Sequence, residues 1–325
     1  LQLDYIYIFF YFPMFKSFIK NILPDFILNF ILKLYITLVR LRTYKTSQSF
    51  WNKNTVSSPN NGFKSVKESL KHLKWRNNQY INSEKNMYFK NCQKKIVLDY
   101  GCGPGNGLIN IVNNSSPQNI YAVDVSEKSI YLAKKRAKLH NIKVSFIKIN
   151  ENEKIKDIND NSIDVIKSDG VLHHIDNIDF VLREFKRILK KNGVINLMIY
   201  NRDSLWFHLH VNYELMIKKK IFSNSSDEEV FKISTDGFQC PISKCFSPSE
   251  FIEICKKNKF RSELKNVSVS IFELGKVNLI HEAINSEKIK QSSKDFLRKI
   301  YIKKRIPYFK KNIAGINAYY ELRNF

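Results

Sequence analysis

Three glycines at alternate positions mark a turn where a ligand can lie close to the backbone. They are Gly101, Gly103 and Gly105, and they follow a short apolar run at residues 96–98. The run predicts a buried strand, and the apolar positions within residues 108–112 predict a helix after the turn. Glycine adopts positive φ readily and presents no side chain to an approaching ligand. Strand, glycine turn and helix together predict a nucleotide-binding element.

The spacing of the glycines distinguishes between classes of nucleotide. A dinucleotide fingerprint, G-x-G-x-x-G, would place its third glycine at position 106, which is Asn106. A phosphate-binding P-loop requires G-K-[ST], and no lysine follows here. The pattern is D-x-G-x-G-x-G, and it begins at Asp99. An NAD-dependent oxidoreductase therefore remains an alternative that Asn106 disfavours.

A second acidic residue lies where a ribose would be bound. Residues 119–123 predict the next strand, and Asp124 stands at its end. A carboxylate at this point accepts hydrogen bonds from ribose hydroxyls. NAD enzymes use a carboxylate in the same way, so Asp124 alone does not identify the cofactor.

The pattern D-x-G-x-G-x-G resembles motif I of the class I S-adenosylmethionine (SAM) methyltransferases, and the resemblance covers residues 63–274 and the last strand. It implies SAM (S-adenosyl-L-methionine) as the cofactor, with the glycine turn against its amino-acid end. Glu151 or Asn152 takes the place of the aspartate that contacts adenine in that family. The predicted cofactor-binding residues are Asp99, Gly101, Gly103, Gly105, Asp124, Val125, Glu151, Asn152, Ser168 and Gly170. No metal ligand is predicted.

Residues 168–174 read S-D-G-V-L-H-H and resemble the S-x-G-V-L-H-H segment of small-molecule methyltransferases in the same class. In that family the loop lines the methyl-transfer site. Histidine is a natural base for a hydroxyl acceptor, because its unperturbed pKa is near 6.5. His173 and His174 are adjacent, so at most one is expected to face the substrate. We predict His174 as the catalytic base and His173 on the cofactor side, with a structural role for both as the alternative.

Alternating strands and helices between residues 95 and 200 predict the elements that position these loops. The fold class is α/β: a doubly wound, Rossmann-like, mostly parallel seven-stranded sheet with helices on both faces. Ligands bind beyond the carboxyl ends of such strands, where all the motifs fall. The clearest helix is predicted at residues 178–189, with Asn192-Gly193 as its C-cap. The polar segment 235–243 is predicted to be a substrate-side loop.

We predict a methyltransferase domain at residues 63–325, with a helical insertion at 275–313 before the last strand. A basic helix is expected at residues 288–305 of that insertion. Residues 1–62 are predicted to be an N-terminal apolar helical segment followed by a linker, and Met14 is a candidate start.

Charges interrupt the apolar segment at residues 5–42, so its uncharged runs are shorter than the ~18–20 residues of a membrane span. Its pattern predicts amphipathic helix, either on an anionic membrane face or packed on the catalytic domain. The five cysteines form no zinc or disulfide pattern, which favours a reducing cytoplasm. A cytoplasmic protein is expected, with peripheral contact at the inner membrane face as a further possibility. The oligomeric state is left open.

The net charge of +24 favours an anionic partner, although lysine and asparagine are frequent throughout the chain. The sequence predicts methyl transfer to a small-molecule acceptor, with a hydroxyl of a sugar, a lipid-linked glycan or a quinone-like compound as first choice. Nucleic acid is not expected as a partner, because no RNA-binding appendage is recognisable. An RNA methyltransferase and a catalytically silent SAM-fold or membrane-associated interaction module remain the alternatives.

Overall fold

The computed structural model describes residues 44–56, 58–83 and 92–325, and a mixed eight-stranded sheet forms the centre of this part of the chain. The predicted amphipathic helix at residues 5–42 lies outside the described residues. The sheet strands are β1 (Tyr80–Ile81), β2 (Ile96–Tyr100), β3 (Asn119–Asp124), β4 (Ser145–Lys148), β5 (Ile163–Asp169), β6 (Leu189–Tyr200), β7 (Phe260–Ser270) and β11 (Asn317–Asn324).

The strand order is β1-β7-β11-β6-β5-β2-β3-β4. Strands β2 to β6 pair in parallel with their neighbours, whereas β11 runs antiparallel to both β6 and β7. The predicted Rossmann-like, mostly parallel α/β fold is confirmed. The count differs by one strand, because the two-residue β1 pairs with the end of β7 and extends the edge.

Ten α-helices are described: α1 (Ser47–Lys53), α2 (Val66–Asn77), α3 (Asn106–Asn114), α4 (Glu127–Leu139), α5 (Ile178–Ile188), α6 (Asp227–Asp236), α7 (Pro248–Lys257), α8 (Ile271–Leu274), α9 (Ile280–Asn285) and α10 (Gln291–Arg298). A π-helix spans Trp206–Lys218 and 3₁₀ turns span Leu172–His174 and Val277–Leu279. None of the helices in the described ranges is long and apolar enough to cross a membrane.

The apolar positions predicted for helix α5 are the ones that it buries in the core. Val181, Leu182 and Phe185 lie on its inner face and are almost fully buried in the main core. The helix ends at Ile188, and Leu189 opens β6 by pairing with Ile163. The predicted C-cap at Asn192-Gly193 is therefore wrong. Leu189 is fully buried, and that burial favours entry into the sheet immediately after the helix.

The insertion between β7 and β11 contains both helices and strands. Helices α8, α9 and α10 are followed by a three-stranded antiparallel sheet of β8 (Ile300–Lys303), β9 (Ile306–Phe309) and β10 (Asn312–Ile313). The expected basic helix at residues 288–305 thus ends at Arg298. Its remainder is rich in β-branched and aromatic residues, which favour strands. The domain boundaries, including the one at residue 62, stay predictions.

Gly315 joins the insertion to β11 at a point of close backbone contact. A Cβ atom there would lie 2.2 Å from the Ser268 carbonyl oxygen and 2.5 Å from the Val269 Cα atom. Both are backbone atoms of β7, so neither can rotate away. The residue must therefore be glycine for the insertion to rejoin the sheet.

We expect Gly315→Ala to lower the free energy of unfolding by roughly 2–3 kcal/mol, because the added methyl group overpacks the sheet. Gly275→Ala is the matched control, since its nearest contact would be an ordinary 3.5 Å and its expected effect is within ~0.5 kcal/mol. Urea denaturation of both variants measures the difference. Equal stability of the two variants would contradict this account of the junction.

Candidate active site

The glycine turn follows β2 and is tied to the end of the neighbouring strand. The backbone N–H groups of Gly101 and Cys102 both donate to the Val123 carbonyl oxygen, at 2.9 and 3.0 Å. Gly101, Gly103 and Gly105 have φ values of +73°, +50° and +85°. This is the left-handed region that favours glycine. The predicted glycines therefore form one tight turn at the carboxyl end of β2.

Two of these glycines face different surroundings. A Cβ atom at Gly101 would lie 2.3 Å from Val171 Cγ2, so the turn packs tightly against the loop that follows β5. A Cβ atom at Gly103 would have nothing within 4 Å. The turn therefore closes on the sheet at one end and borders open space at Gly103.

Asp124 at the end of β3 holds the turn from the other side. Its two carboxylate oxygens accept the N–H groups of Gly103 and Ser126, each at 2.8 Å. Burial raises the pKa of this carboxyl to about 6, and these N–H donors oppose the rise. A carboxylate has about four acceptor positions, so Asp124 keeps capacity for two hydroxyl donors.

Asp99 lies in β2 just before the turn, and one of its carboxylate oxygens accepts no hydrogen bond from the residues described. Within the described part of the chain, its Oδ2 atom is buried and has no hydrogen-bond partner. Burial, and after it the charge of Asp169, raises the pKa of Asp99 to about 7. A Cβ atom at Gly107 would lie only 2.7 Å from this oxygen. Gly107 is thus a residue that the sequence prediction missed, although it continues the alternate spacing of the three predicted glycines.

The other predicted cofactor residues differ in their surroundings. Ser168 is fully buried at the end of β5, and its hydroxyl has no partner among the described residues. Gly170 follows with a φ of +79°. Glu151 and Asn152 lie exposed after β4, and Glu151 Oε1 accepts the Gln48 N–H at 2.6 Å. Their predicted role at the adenine stays a prediction.

Helix α1 lies across the ends of the parallel strands, and the sequence prediction missed this contact. The Ser126 hydroxyl donates to the Trp51 carbonyl oxygen at 3.1 Å, and the Ser47 hydroxyl donates to the His174 carbonyl oxygen at 3.2 Å. The Trp51 ring meets the His174 ring edge-on, with centroids 4.9 Å apart. Helix α1 thus joins the loop after β3 to the loop after β5.

His173 is built into the edge of the sheet. It is fully buried, its ring stacks on Tyr200 with centroids 3.7 Å apart, and its Nδ1 accepts the Tyr200 N–H at 3.2 Å. Burial, and after it the neighbouring His174, lowers its pKa well below the ordinary range. Such a ring is neutral, and its accepting Nδ1 places the proton on Nε2.

His174 has the opposite arrangement. Its Nδ1 lies 2.8 Å from the Ile242 carbonyl oxygen, and a carbonyl only accepts, so Nδ1 carries the proton. In the neutral ring Nε2 therefore keeps its lone pair. That atom lies 3.6 Å from Asp236 Oδ1. The geometry leaves the basic nitrogen of His174 directed toward the segment that was predicted to be a substrate-side loop.

Asp236, the last residue of α6, is positioned by two hydroxyls. It accepts Ser243 Oγ at 2.6 Å and Tyr200 Oη at 3.3 Å. One donor atom each from His174, Asp236 and Cys240 lies within 4.8 Å of the others. That spacing could also hold a metal ion, so the expectation of no metal ligand stays a prediction.

Comparison of the sequence with known proteins relates this part of the chain to methyltransferases. Residues 92–241 match the model of a family described as a methyltransferase domain. The chain is 26% identical over 221 residues to a ubiquinone biosynthesis O-methyltransferase of Pelagibacter ubique, covering 66% of this chain and 80% of the relative. Residues 92–241 form a SAM-dependent methyltransferase domain, and the protein is a methyltransferase.

One further sequence and one solved structure are similar to this methyltransferase. It is 27% identical over 158 residues to a demethylmenaquinone methyltransferase of Leptospira interrogans, covering 48% of this chain and 61% of the relative. The crystal structure of the YcgJ protein of Bacillus subtilis aligns with a TM-score of 0.47 at 16% identity, covering 74% of this chain and 98% of that chain. The fold is established by the strand order of the sheet and does not rest on this structural similarity.

The residues around the glycine turn fit SAM as the cofactor. The orphaned oxygen of Asp99 is an acceptor that an ammonium group such as that of SAM would satisfy. The free acceptor positions of Asp124 suit the two hydroxyls of a ribose. The open space at Gly103 leaves room for a ligand at the turn. Together they match a ligand with an amino-acid end and a ribose.

The substitution Asp99→Asn distinguishes the effect of this carboxyl group on the free energy of unfolding from its contribution to SAM binding. The folded chain holds the Asp99 proton up to about pH 7, whereas an unfolded aspartate releases it near pH ~4. The carboxylate therefore destabilises the folded state increasingly as pH rises through this window. We expect Asp99→Asn to raise the free energy of unfolding by roughly 2–4 kcal/mol at pH 8 and by less at pH 5.

The same variant should bind SAM about tenfold or more weakly at pH 8, because the charge-assisted hydrogen bond to the ammonium group is lost. Urea denaturation and calorimetric titration with SAM measure the two effects. A loss of both stability and affinity at pH 8 would show that Asp99 is an ordinary structural residue.

Proposed function

We propose that this methyltransferase transfers the methyl group of SAM to a hydroxyl oxygen of a quinone-like small molecule, with His174 as the base. Two relatives are named for ubiquinone biosynthesis and for demethylmenaquinone, which supports a quinone-like acceptor. The observation that carries the base assignment is the hydrogen bond from His174 Nδ1 to the Ile242 carbonyl oxygen. It leaves the lone pair of Nε2 available to a hydroxyl.

SAM supplies a methyl group that its sulfonium has already activated, so the protein must position the acceptor and remove one proton. A phenolic hydroxyl has a pKa near ~10 and is a weak nucleophile until the proton leaves. His174 Nε2 accepts that proton as the oxygen forms its new bond to carbon. Asp236 lies 3.6 Å away and stabilises the positive charge that the ring then carries.

Two large aromatic side chains lie against this base. The Trp51 ring meets His174 at 4.9 Å, and Tyr200 meets it at 5.8 Å between centroids. Phe231 packs edge-on against Tyr200 at 5.7 Å. A planar ring acceptor gains from such surroundings, since aromatic pairs favour stacked and edge-on contacts. A sugar hydroxyl would gain less, so the aromatic wall favours the quinone-like choice over a glycan.

The proposed setting is cytoplasmic, with peripheral contact between the apolar segment at residues 5–42 and the anionic inner membrane face. Five free cysteines, all buried, support a reducing compartment. Quinones with long isoprenoid tails reside in membranes, so contact with the bilayer would bring the enzyme to such an acceptor.

The base assignment predicts a specific pattern of rate losses. We expect His174→Gln to lower the single-turnover rate on a catechol or hydroquinone acceptor by ~10²–10⁴-fold, the range for loss of a general base. The affinity for SAM should be unchanged, because Nε2 acts on the acceptor.

The exposed residue His281, in α9, provides the matched control His281→Gln, which should keep the wild-type rate. Quenched-flow kinetics with radiolabelled SAM measure all three proteins. If His174→Gln keeps its rate, catalysis depends on positioning alone and the proposed base is wrong.

A further inference from the structure

The hairpin of β8 and β9 carries an exposed apolar and basic tip. Tyr301 and Ile302 are 48% and 50% exposed, among the most exposed large apolar residues described. The turn beside them reads Lys303-Lys304-Arg305, and all three side chains are exposed. None of these five residues belongs to the eight-stranded sheet or to the site around His174.

The cations of the hairpin form no close ion pairs among the described residues, although Lys310 and Lys311 act at longer range on Asp203 and Glu263. Residues 299–311 contain no acidic residue and six cations, which are Lys299, Lys303, Lys304, Arg305, Lys310 and Lys311. Over the described ranges, none of the six takes part in the ion pairs found within 4.0 Å. By contrast, Lys290 in the same insertion pairs with Asp227 at 2.7 Å. The hairpin therefore presents a concentrated field to an anionic partner.

The tip is held on a rigid base. Lys304 and Arg305 have φ values of +50° and +64°, the left-handed pair that a type I′ hairpin turn requires. Tyr301 stacks on Tyr308 at 5.5 Å and donates its hydroxyl to the Lys310 carbonyl oxygen at 2.9 Å. Ile300 and Phe309, on the face that also carries Ile302, pack on one core cluster, and Ile306 and Tyr308, on the face of Tyr301, pack on the main core. The hairpin is thus anchored on both faces, and its tip projects beyond these contacts. The exposed side chains are thus presented without any need for rearrangement.

The hairpin also joins the fold at the edge that carries the active site. The Ala314 N–H donates to the Pro307 carbonyl oxygen, and the Leu205 N–H donates to the Ala314 carbonyl oxygen. Asn317, the first residue of β11, pairs with Tyr200 at the carboxyl end of β6. The insertion therefore rejoins the sheet beside the acceptor site.

We propose that the tip of this hairpin docks end-on on an anionic lipid bilayer, with Tyr301 and Ile302, one from each face, at the interface and Lys303, Lys304 and Arg305 at the headgroups. An aromatic ring at the headgroup level with basic residues around it is typical of interfacial contacts. Ile302 favours a bilayer over a nucleic acid, because a branched aliphatic side chain gains nothing from phosphate or from base stacking. The inference does not depend on the identity of the methyl acceptor.

The first test is cosedimentation of the full chain with vesicles. The variant Lys303→Gln, Lys304→Asn, Arg305→Gly removes three charges and places Asn-Gly in the turn, which a type I′ hairpin favours. The control variant Lys134→Gln, Lys135→Gln, Lys138→Gln removes the same charge from the exposed face of α4. Vesicles of phosphatidylcholine alone are compared with vesicles containing phosphatidylglycerol.

Wild-type and control proteins should bind the phosphatidylglycerol vesicles, more weakly at high salt, and should not bind phosphatidylcholine alone. The hairpin variant should lose roughly 100-fold in partition coefficient, from the usual contribution of each cation near such a surface. Equal binding by hairpin variant and control would overturn the proposal. So would a hairpin variant that keeps its vesicle affinity but loses affinity for a homopolymeric RNA, since nucleic acid would then be the partner.

A second measurement reports on the tip itself. The native cysteines are buried, so Ile302→Cys or Tyr131→Cys on α4 introduces one exposed thiol for a polarity-sensitive dye. With phosphatidylglycerol vesicles, the emission at position 302 should shift to shorter wavelength and that at position 131 should not. An unchanged spectrum at position 302 in bound protein would contradict insertion of the tip.

Discussion

The bridge that Asp124 makes between two backbone N–H groups is the contact on which the site depends. One oxygen holds Gly103 in the glycine turn, and the other holds Ser126 at the start of α4. The loops after β2 and β3 are thereby fixed relative to each other before any ligand arrives. Burial of a carboxylate is unfavourable, and here the two N–H donors offset only part of that cost, since the pKa of Asp124 is still raised. The same atoms are the acceptors that a ribose would use.

The bridge continues from the cofactor side to the acceptor side through α1. Ser126 donates to Trp51, whose ring lies against His174, and Ser47 of the same helix donates to the His174 carbonyl oxygen. Helix α1 is therefore a wall shared by the two halves of the site. The apolar segment at residues 5–42 precedes this helix, and the sequence predicts it to lie either on a membrane face or against the catalytic domain.

The sequence predicted features whose causes are local. The glycine turn, Asp124 and helix α5 follow from backbone preferences and apolar spacing over a few residues. The contacts that complete the site join residues far apart in the chain: Gln48 with Glu151, Trp51 with Ser126, and His174 with Ile242. No spacing rule predicts such pairs, because they depend on how the elements pack. The hairpin at residues 300–309 was missed because its lysines fitted an amphipathic basic helix equally well.

His173 and His174 show what a sequence motif can and cannot predict about a site. The motif indicated two histidines and their order along the chain favoured His174 as the base, and the surrounding structure shows how the contacts of the two rings differ. His173 accepts a backbone N–H and stacks on Tyr200, whereas His174 donates to a carbonyl and directs its free nitrogen toward Asp236. Second contacts of this kind set the tautomer, and the tautomer sets which nitrogen can accept a proton.

The most direct measurement follows the methyl group itself. The full chain would be incubated with SAM carrying a deuterated methyl group and with hydroxylated quinols, and the products would be analysed by mass spectrometry. The account predicts deuterated methyl on a hydroxyl oxygen of the quinol, formed in equal amount with S-adenosylhomocysteine. Label on a ring carbon, label on added RNA, or binding of SAM with no transfer to any quinol would contradict it.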